Sequence, residues 1–461
     1  MALSDIRQTI RDGALGAIVE SIDSVGVMFG VCSAGTPGRV YPFVDPQDVA
    51  GTLGRGPLAE AVASVLASAG RGPVYAVPID SDVTGTAGAI TKTGTGPDIT
   101  ASGVPNDAYE VIVRVVKAGA VGTSEVIISV DGGDVWSGQI ATSATYPVPD
   151  TGLTLAFPAG AYVAGDEYSL TCKAPGYSVT KLGEAIDAFL GGRVEASLAL
   201  VVGTPESAAA AASLAVAVHS KMHAATGKYR YMRSFIECAD AADAELITAF
   251  SAVDASRVVA CAGFCELVSP SSLRFYKRSA AWAAFARALA VNVERHLGAV
   301  RDGGLVGVRA IHRDEARSPM LTDQRFLTLR TRIGKTGYFI EQPWTMAQKS
   351  SDYSTLHNGR VMDKACRIAY NAMVDYLNED WFLNPEGRLS DAERERMQSD
   401  ILQQIVQGMG QSISQARFAI FTSDDIQGTQ TISCQTGILS KGYSRFIDNV
   451  TSFVKKIKQG A

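Results

Sequence analysis

The sequence predicts an α/β and α+β multidomain protein. An α/β core is interrupted by an inserted all-β domain and followed by a C-terminal α+β domain with a terminal arm. Three observations carry this reading. Apolar strand-like runs alternate with one-faced helices over 21–85 and again over 176–322. Between them, over 86–175, Gly, Thr, Ser and Asp rise and helical periodicity disappears. From 323 to 442 two helices precede two alternating segments. A chain of 461 residues also exceeds the roughly 250–300 residues at which a single core stops growing.

The elements follow in order. Residues 24–32, with Val-Gly-Val-Met-Phe-Gly-Val at their centre, predict a buried strand. Leu58, Ala61, Val62, Val65 and Leu66 line one face of a helix over 57–69. Gly70 ends that helix, and 74–79 is the next strand. In the β segment, short alternating runs at 109–116, 125–130, 152–157 and 168–172 are joined by Gly/Asp-rich turns, the pattern of a small sandwich. The α/β pattern resumes with strands at 197–202, 229–236 and 257–262 and helices at 206–226 and 241–253. A helix over 277–297, with Trp282, Phe285, Leu289 and Val293 near helical spacing, then leads to a strand at 305–311.

In the C-terminal domain, 326–333 and 337–341 read as strands and 360–377 as a helix. Ser390-Asp391-Ala392-Glu393 predicts a capping box, with Ser390 and Glu393 satisfying each other's amides. Met397, Ile401, Ile405 and Met409 continue as the apolar stripe of that helix. Residues 415–422 and 430–439 predict an antiparallel strand pair. The tail over 443–461 carries Tyr443, Phe446, Ile447, Val450, Phe453, Val454 and Ile457. Their spacing suits an amphipathic helix as well as strand alternation; the shortness and β-rich composition favour an extended arm.

Bulk properties narrow the function. Hydrophobic residues at 46% and charged residues at 19% suit a folded chain. A net charge of −5 with scattered Lys and Arg gives no basic footprint for direct nucleic-acid binding. The apolar runs fall short of the ~20 residues of a membrane-crossing helix, and the N-terminus lacks secretory-signal features. Seven dispersed cysteines read as reduced thiols of a protein made in the cytosol.

Catalytic and binding motifs fail one by one, so no catalytic residue, cofactor or metal site is expected. Gly334-Lys335-Thr336 suggests a phosphate loop, but that motif needs glycine at 329, where Leu stands. A turn between strands is the expectation. At 202–206, Thr204 is expected to cap a helix whose first residue is Pro205. His219 and His223 have metal-ligand spacing on a helix but no accompanying acid. His312, Arg313, Asp314 and Glu315 suit a salt-bridge group in a loop. Ser129-Val130-Asp131-Gly132-Gly133-Asp134-Val135-Trp136 resembles the Asp-box turn of β proteins, which is structural.

Gly337-Tyr338-Phe339, Ser351-Asp352-Tyr353 and Arg360-Val361-Met362-Asp363-Lys364-Ala365 resemble motifs of contractile bacteriophage (myovirus-type) tail sheath proteins. Gly30–Gly35 and Gly54–Glu60 fit the same family less sharply. The resemblance implies a sheath-type α/β core, an N-terminal arm over 1–20, an outward-facing inserted domain and a tube-proximal C-terminal domain. It implies an arm over 443–461 that adds a strand to a sheet of a neighbouring subunit. Implied partners are copies of the chain in stacked hexameric rings, the tail tube protein, and the baseplate and tail terminator proteins. No direct nucleic acid, membrane insertion or cofactor is implied. The location would be the virion tail, assembled in the host cytoplasm. The sheath of a related contractile injection system, or an α/β enzyme with a β accessory domain, are the alternatives.

Overall fold

The computed structural model describes residues 22–70, 73–449 and 451. The chain opens with strands β1 (Gly26–Gly30) and β2 (Tyr41–Phe43), helices α1 (Gln47–Leu53) and α2 (Pro57–Ala69), and strand β3 (Val74–Pro78). Strands alone follow: β4 (Thr86–Ala87), β5 (Thr91–Thr93), β6 (Thr100–Gly103), β7 (Tyr109–Lys117), β8 (Gly119–Ala120) and β9 (Glu125–Ser129). They continue as β10 (Ile140–Ala141), β11 (Thr145–Val148), β12 (Leu153–Ala156), β13 (Ala161–Tyr162) and β14 (Glu167–Lys173). Alternation then returns with α3 (Val179–Gly191), β15 (Leu198–Val201), α4 (Ala208–Thr226), β16 (Arg233–Glu237), α5 (Asp243–Phe250) and β17 (Val258–Cys261).

β3, β1, β15, β16 and β17 lie side by side in that order, all parallel, with β2 antiparallel on the outer edge of β3. Ranked by chain position, the parallel strands run 2-1-3-4-5, a doubly wound order. Such strands are buried on both faces, which explains their near-continuous apolar runs. Met28, Leu198 and Leu200 face the core under α2 and α6 (Ala280–Ala290), whereas Val27, Phe29, Ala199 and Val201 face the core under α3, α4 and α5.

The strand-only segment has its own apolar centre. β10-β9-β7-β14-β4 form one antiparallel sheet and β11-β12-β6 another. Tyr109, Val111, Val113 and Val115, alternate residues of β7, are buried with Leu153, Leu155, Tyr168 and Leu170.

α6 differs from the expectation of a helix over 277–297. Residues Phe275–Ser279 are strand β19, paired antiparallel with β18 (Phe264–Val268), and Ser279 Oγ accepts from the Ala281 amide at 3.2 Å as N-cap. Sheet pairing claims Lys277 and Arg278, and the helix ends where Val291 turns extended. β20 (Val308–Ile311) completes that small sheet. The strands expected over 326–333 and 337–341 shrink to β21 (Leu329–Arg330) and β22 (Phe339–Ile340). Leu327 instead edges the main sheet, its amide donating to Ala260 O and its carbonyl accepting from Ala262 N, both at 2.9 Å.

Helix α7 (Leu356–Val374) follows, then α8 (Asp391–Met409), β23 (Ile413–Ile420), the single turn α9 (Ile426–Thr429) and β24 (Cys434–Ser440). Packing divides the chain into two compact units at 377/378. This lies downstream of 323, because Leu327, Leu329, Ile340 and Leu356 join the core of the main sheet. In the second unit β23 and β24 pair antiparallel as expected, and α8 starts at the predicted cap. The capping box is only half made, however. Ser390 Oγ accepts from Glu393 N at 3.4 Å, but the Ser390 amide donates to Phe382 O, and Glu393 pairs with Arg396.

Candidate assembly surface

In the second unit, alternation along β23 places Phe418 and Ile420 in the interior while Gln415, Arg417 and Ala419 stay exposed. The buried pair accompanies the stripe of α8, where Met397, Ile401, Ile405 and Met409 are all buried. Gln398 of α8 ties the layers further, its Oε1 accepting from Ile420 N at 3.2 Å. Gly437 leaves room for a side chain crossing the hairpin: a Cβ there would stand 2.7 Å from Arg417 Nε.

The hairpin is a two-stranded sheet, and among the described residues no third strand pairs with either outer edge. Such edges offer unmet amides and carbonyls to another extended chain. The strand β24 carries Leu439 at 58% exposure, and just beyond it Tyr443, Phe446 and Ile447 are 42%, 74% and 84% exposed. The described residues 441–449 are in neither helix nor strand. Val450, Phe453, Val454 and Ile457, like the arm over 1–20, lie outside the described residues.

The sites that sequence motifs had raised are occupied by structural contacts. Gly334 sits in the turn between β21 and β22 with φ +73°. His219 Nδ1 accepts from the Arg257 amide at 3.3 Å, and its ring stacks on His223 at 5.8 Å. Burial and then the neighbouring His223 hold the His219 pKa below the ordinary imidazole range. Among the described residues no cluster of His, Cys, Asp and Glu is arranged to hold a metal ion. Arg313 bridges Asp243 at 2.8 Å and also Glu315, as the salt-bridge reading expects. Burial pushes the thiols of Cys238, Cys261 and Cys265 up, which keeps them protonated.

Thr204 is not the helix cap. Ser207 caps α4, its Oγ accepting from Ala210 N at 3.2 Å, while Thr204 Oγ1 donates to Glu237 at 2.7 Å. Glu237 also accepts from Trp282 Nε1 at 2.7 Å and Gly203 N at 3.1 Å. Burial raises its pKa despite these donors. No sequence signal marked Glu237, since a lone acid in a strand-like run has no local pattern. Beyond the C-terminal end of β1 the chain approaches the strand-only segment closely: Leu58 N donates to Val31 O at 3.0 Å, and a Cβ on Gly56 would stand 3.1 Å from Asn106 O.

The fold is similar to that of chains from contractile injection assemblies. A chain of an extracellular contractile injection system, the PVC sheath complex in its contracted state, matches with TM-score 0.55 at 10% identity, over 99% of this chain and 98% of that one. A chain of the six-fold symmetrised anti-feeding prophage baseplate matches with TM-score 0.54 at 11% identity, over 99% and 100%. The sheath tail protein of Desulfitobacterium hafniense matches over 96% and 100% at 14% identity, with TM-score 0.46. The chain belongs to the DUF2586 family, whose N-terminal domain model matches residues 3–342 and C-terminal domain model residues 352–458. No curated protein sequence matches it.

Proposed function

We propose that this chain is the structural, non-catalytic subunit of a contractile phage tail sheath. Copies polymerise as stacked hexameric rings around the tail tube protein, bounded by baseplate and tail terminator proteins. The observation that carries the reading is a likeness of fold over 98–99% of the chain to contractile injection assemblies, one of them six-fold symmetric. In this reading residues 86–175 form the outward inserted domain, the part of 323–442 that lies in the second compact unit, from 378 on, forms the tube-proximal domain, and 1–20 and 443–461 form the connecting arms. The edges of β23 and β24, which no third strand covers among the described residues, and the exposed Tyr443, Phe446 and Ile447 support strand exchange between neighbours. Contacts that do not close on themselves propagate as helical tubes. Contraction is then a rigid-body rearrangement of subunits tethered by their arms, driven by small free-energy differences summed along the tail.

Electron microscopy of the expressed protein tests this: rings or tubes are expected, and a monodisperse single particle turning over a metabolite would overturn it. The sheath of an extracellular injection system is the second reading, favoured by the named neighbours. Particles recovered from producing cells separate the two, because a phage carries a DNA-filled head.

A further inference from the structure

The ion pairs between the strand-only segment and the α/β layer have one polarity among the described residues. Asp107 takes two bonds from Arg278, at 2.9 and 2.6 Å, and both side chains are buried. Asp131 meets Arg274 at 3.4 Å, Asp150 meets Arg55 at 3.3 Å, and Asp134 pairs with Arg309. In every pair the segment supplies the aspartate and the core the arginine. Aromatic rings back the buried pair: the Arg278 guanidinium lies 5.1 Å over both Tyr276 and Trp282, and Tyr276 meets Tyr109 edge-on at 6.3 Å.

A cleft of about 350 Å³ opens along this contact. Its charged walls are already matched within the chain, down to Glu60, which accepts from Ser271 Oγ at 2.8 Å. The cleft follows the seam between the segment and the core. The main-chain attachment is a narrow stem. Val83 and Gly176 exchange two hydrogen bonds, at 3.3 and 2.8 Å, and Ser178 N donates to Asp82 at 2.7 Å. Among the described residues, no main-chain to main-chain hydrogen bond joins 86–173 to the core, and Arg274 Nη1 donates to Val135 O at 3.2 Å.

We propose that this Asp–Arg seam is a releasable latch that sets the orientation of the 86–173 segment on its stem, with Asp107–Arg278 as the bolt. Half-exposed ion pairs hold weakly and are screened by salt. A buried pair resists screening, but loss of one partner strands the other charge. A polar joint of this kind lets a module swing as a unit. The latch rests on reading 86–173 as a separate module and not on the sheath assembly.

Limited proteolysis of the full-length protein tests it. Asp107→Asn should speed cleavage in the stem, at 80–86 and 173–178, at least about tenfold, releasing the segment as a resistant fragment. Asp134→Asn combined with Asp150→Asn, at exposed positions, should speed it about two- to threefold in low salt, with no difference left at about 1 M NaCl. Should Asp107→Asn fail to fold, the exposed double variant decides. Cleavage rates equal to wild type in the folded variants would overturn the latch. Stem cleavage that leaves no resistant fragment would overturn the module reading along with it.

Discussion

Asp363 shows what one residue of the 360–365 motif does. Its carboxylate accepts from Arg233 Nε at 2.8 Å and pairs with Arg257 at 3.3 Å, pinning α7 to the start of β16. The guanidinium of Arg233 passes so close to α7 that a Cβ at Gly359 would lie 2.0 Å from it. Asp363→Ala should therefore cost about 3–5 kcal/mol in urea unfolding, because two arginines lose their partner in the interior. Gly359→Ala should destabilise without any change of charge. His357 adds a pH dependence. Burial, then His296 and Arg360, hold its pKa at about 3, against an ordinary 6.5. The unfolded chain thus binds the proton first, so His357 favours the folded state fully above about pH 6.5 and progressively less toward pH 3. His357→Gln should flatten the acid side of the stability profile. An unchanged slope between pH 6 and 4 would reject that assignment.

At the scale of elements, local signals set the ends of some helices and sheet pairing set others. α2 runs from Pro57 to Ala69, and Gly70 closes it in the left-handed region at φ 59°, as proline and glycine punctuation predicts. α6 starts three residues later than its periodicity suggests because Lys277 and Arg278 pair with Glu266 and Cys265 in β18. For α8 the cap and stripe were both legible. Ser390→Ala should cost about 1 kcal/mol, and Ile401→Ala about 2–5 kcal/mol. Amide exchange in β23 and β24 should rise in both variants, since the hairpin has little of its own to hold it. If only α8 amides respond, the hairpin is stable without its helix.

For the whole molecule, the proposed sheath role depends on the hairpin edges and the 443–461 arm. Removal of 443–461 should leave a folded chain with an unchanged thermal transition but abolish rings and tubes in negative stain. Normal tubes from that truncation would remove the C-terminal arm from the assembly mechanism. If the proposed sheath stores its work in subunit contacts, contraction of purified tails should proceed without nucleotide. Dependence on ATP hydrolysis would contradict that account.

Sequence alone determined the order of layers, because periodicities of 2 and 3.6 and glycine or proline punctuation are local properties. It also supplied the motif that resembles sheath proteins, although nothing in that motif explained why Asp363 is there. Only the tertiary structure decided the pairing of charges across the chain: Asp107 with Arg278, and Asp363 with Arg233, are separated by 171 and 130 residues. It likewise decided that Glu237, rather than a helix amide, takes Thr204, and that 323–377 packs with the main sheet. Such choices depend on which distant groups the folded backbone brings within hydrogen-bonding reach and shields from water. No neighbouring residue in the sequence carries that information.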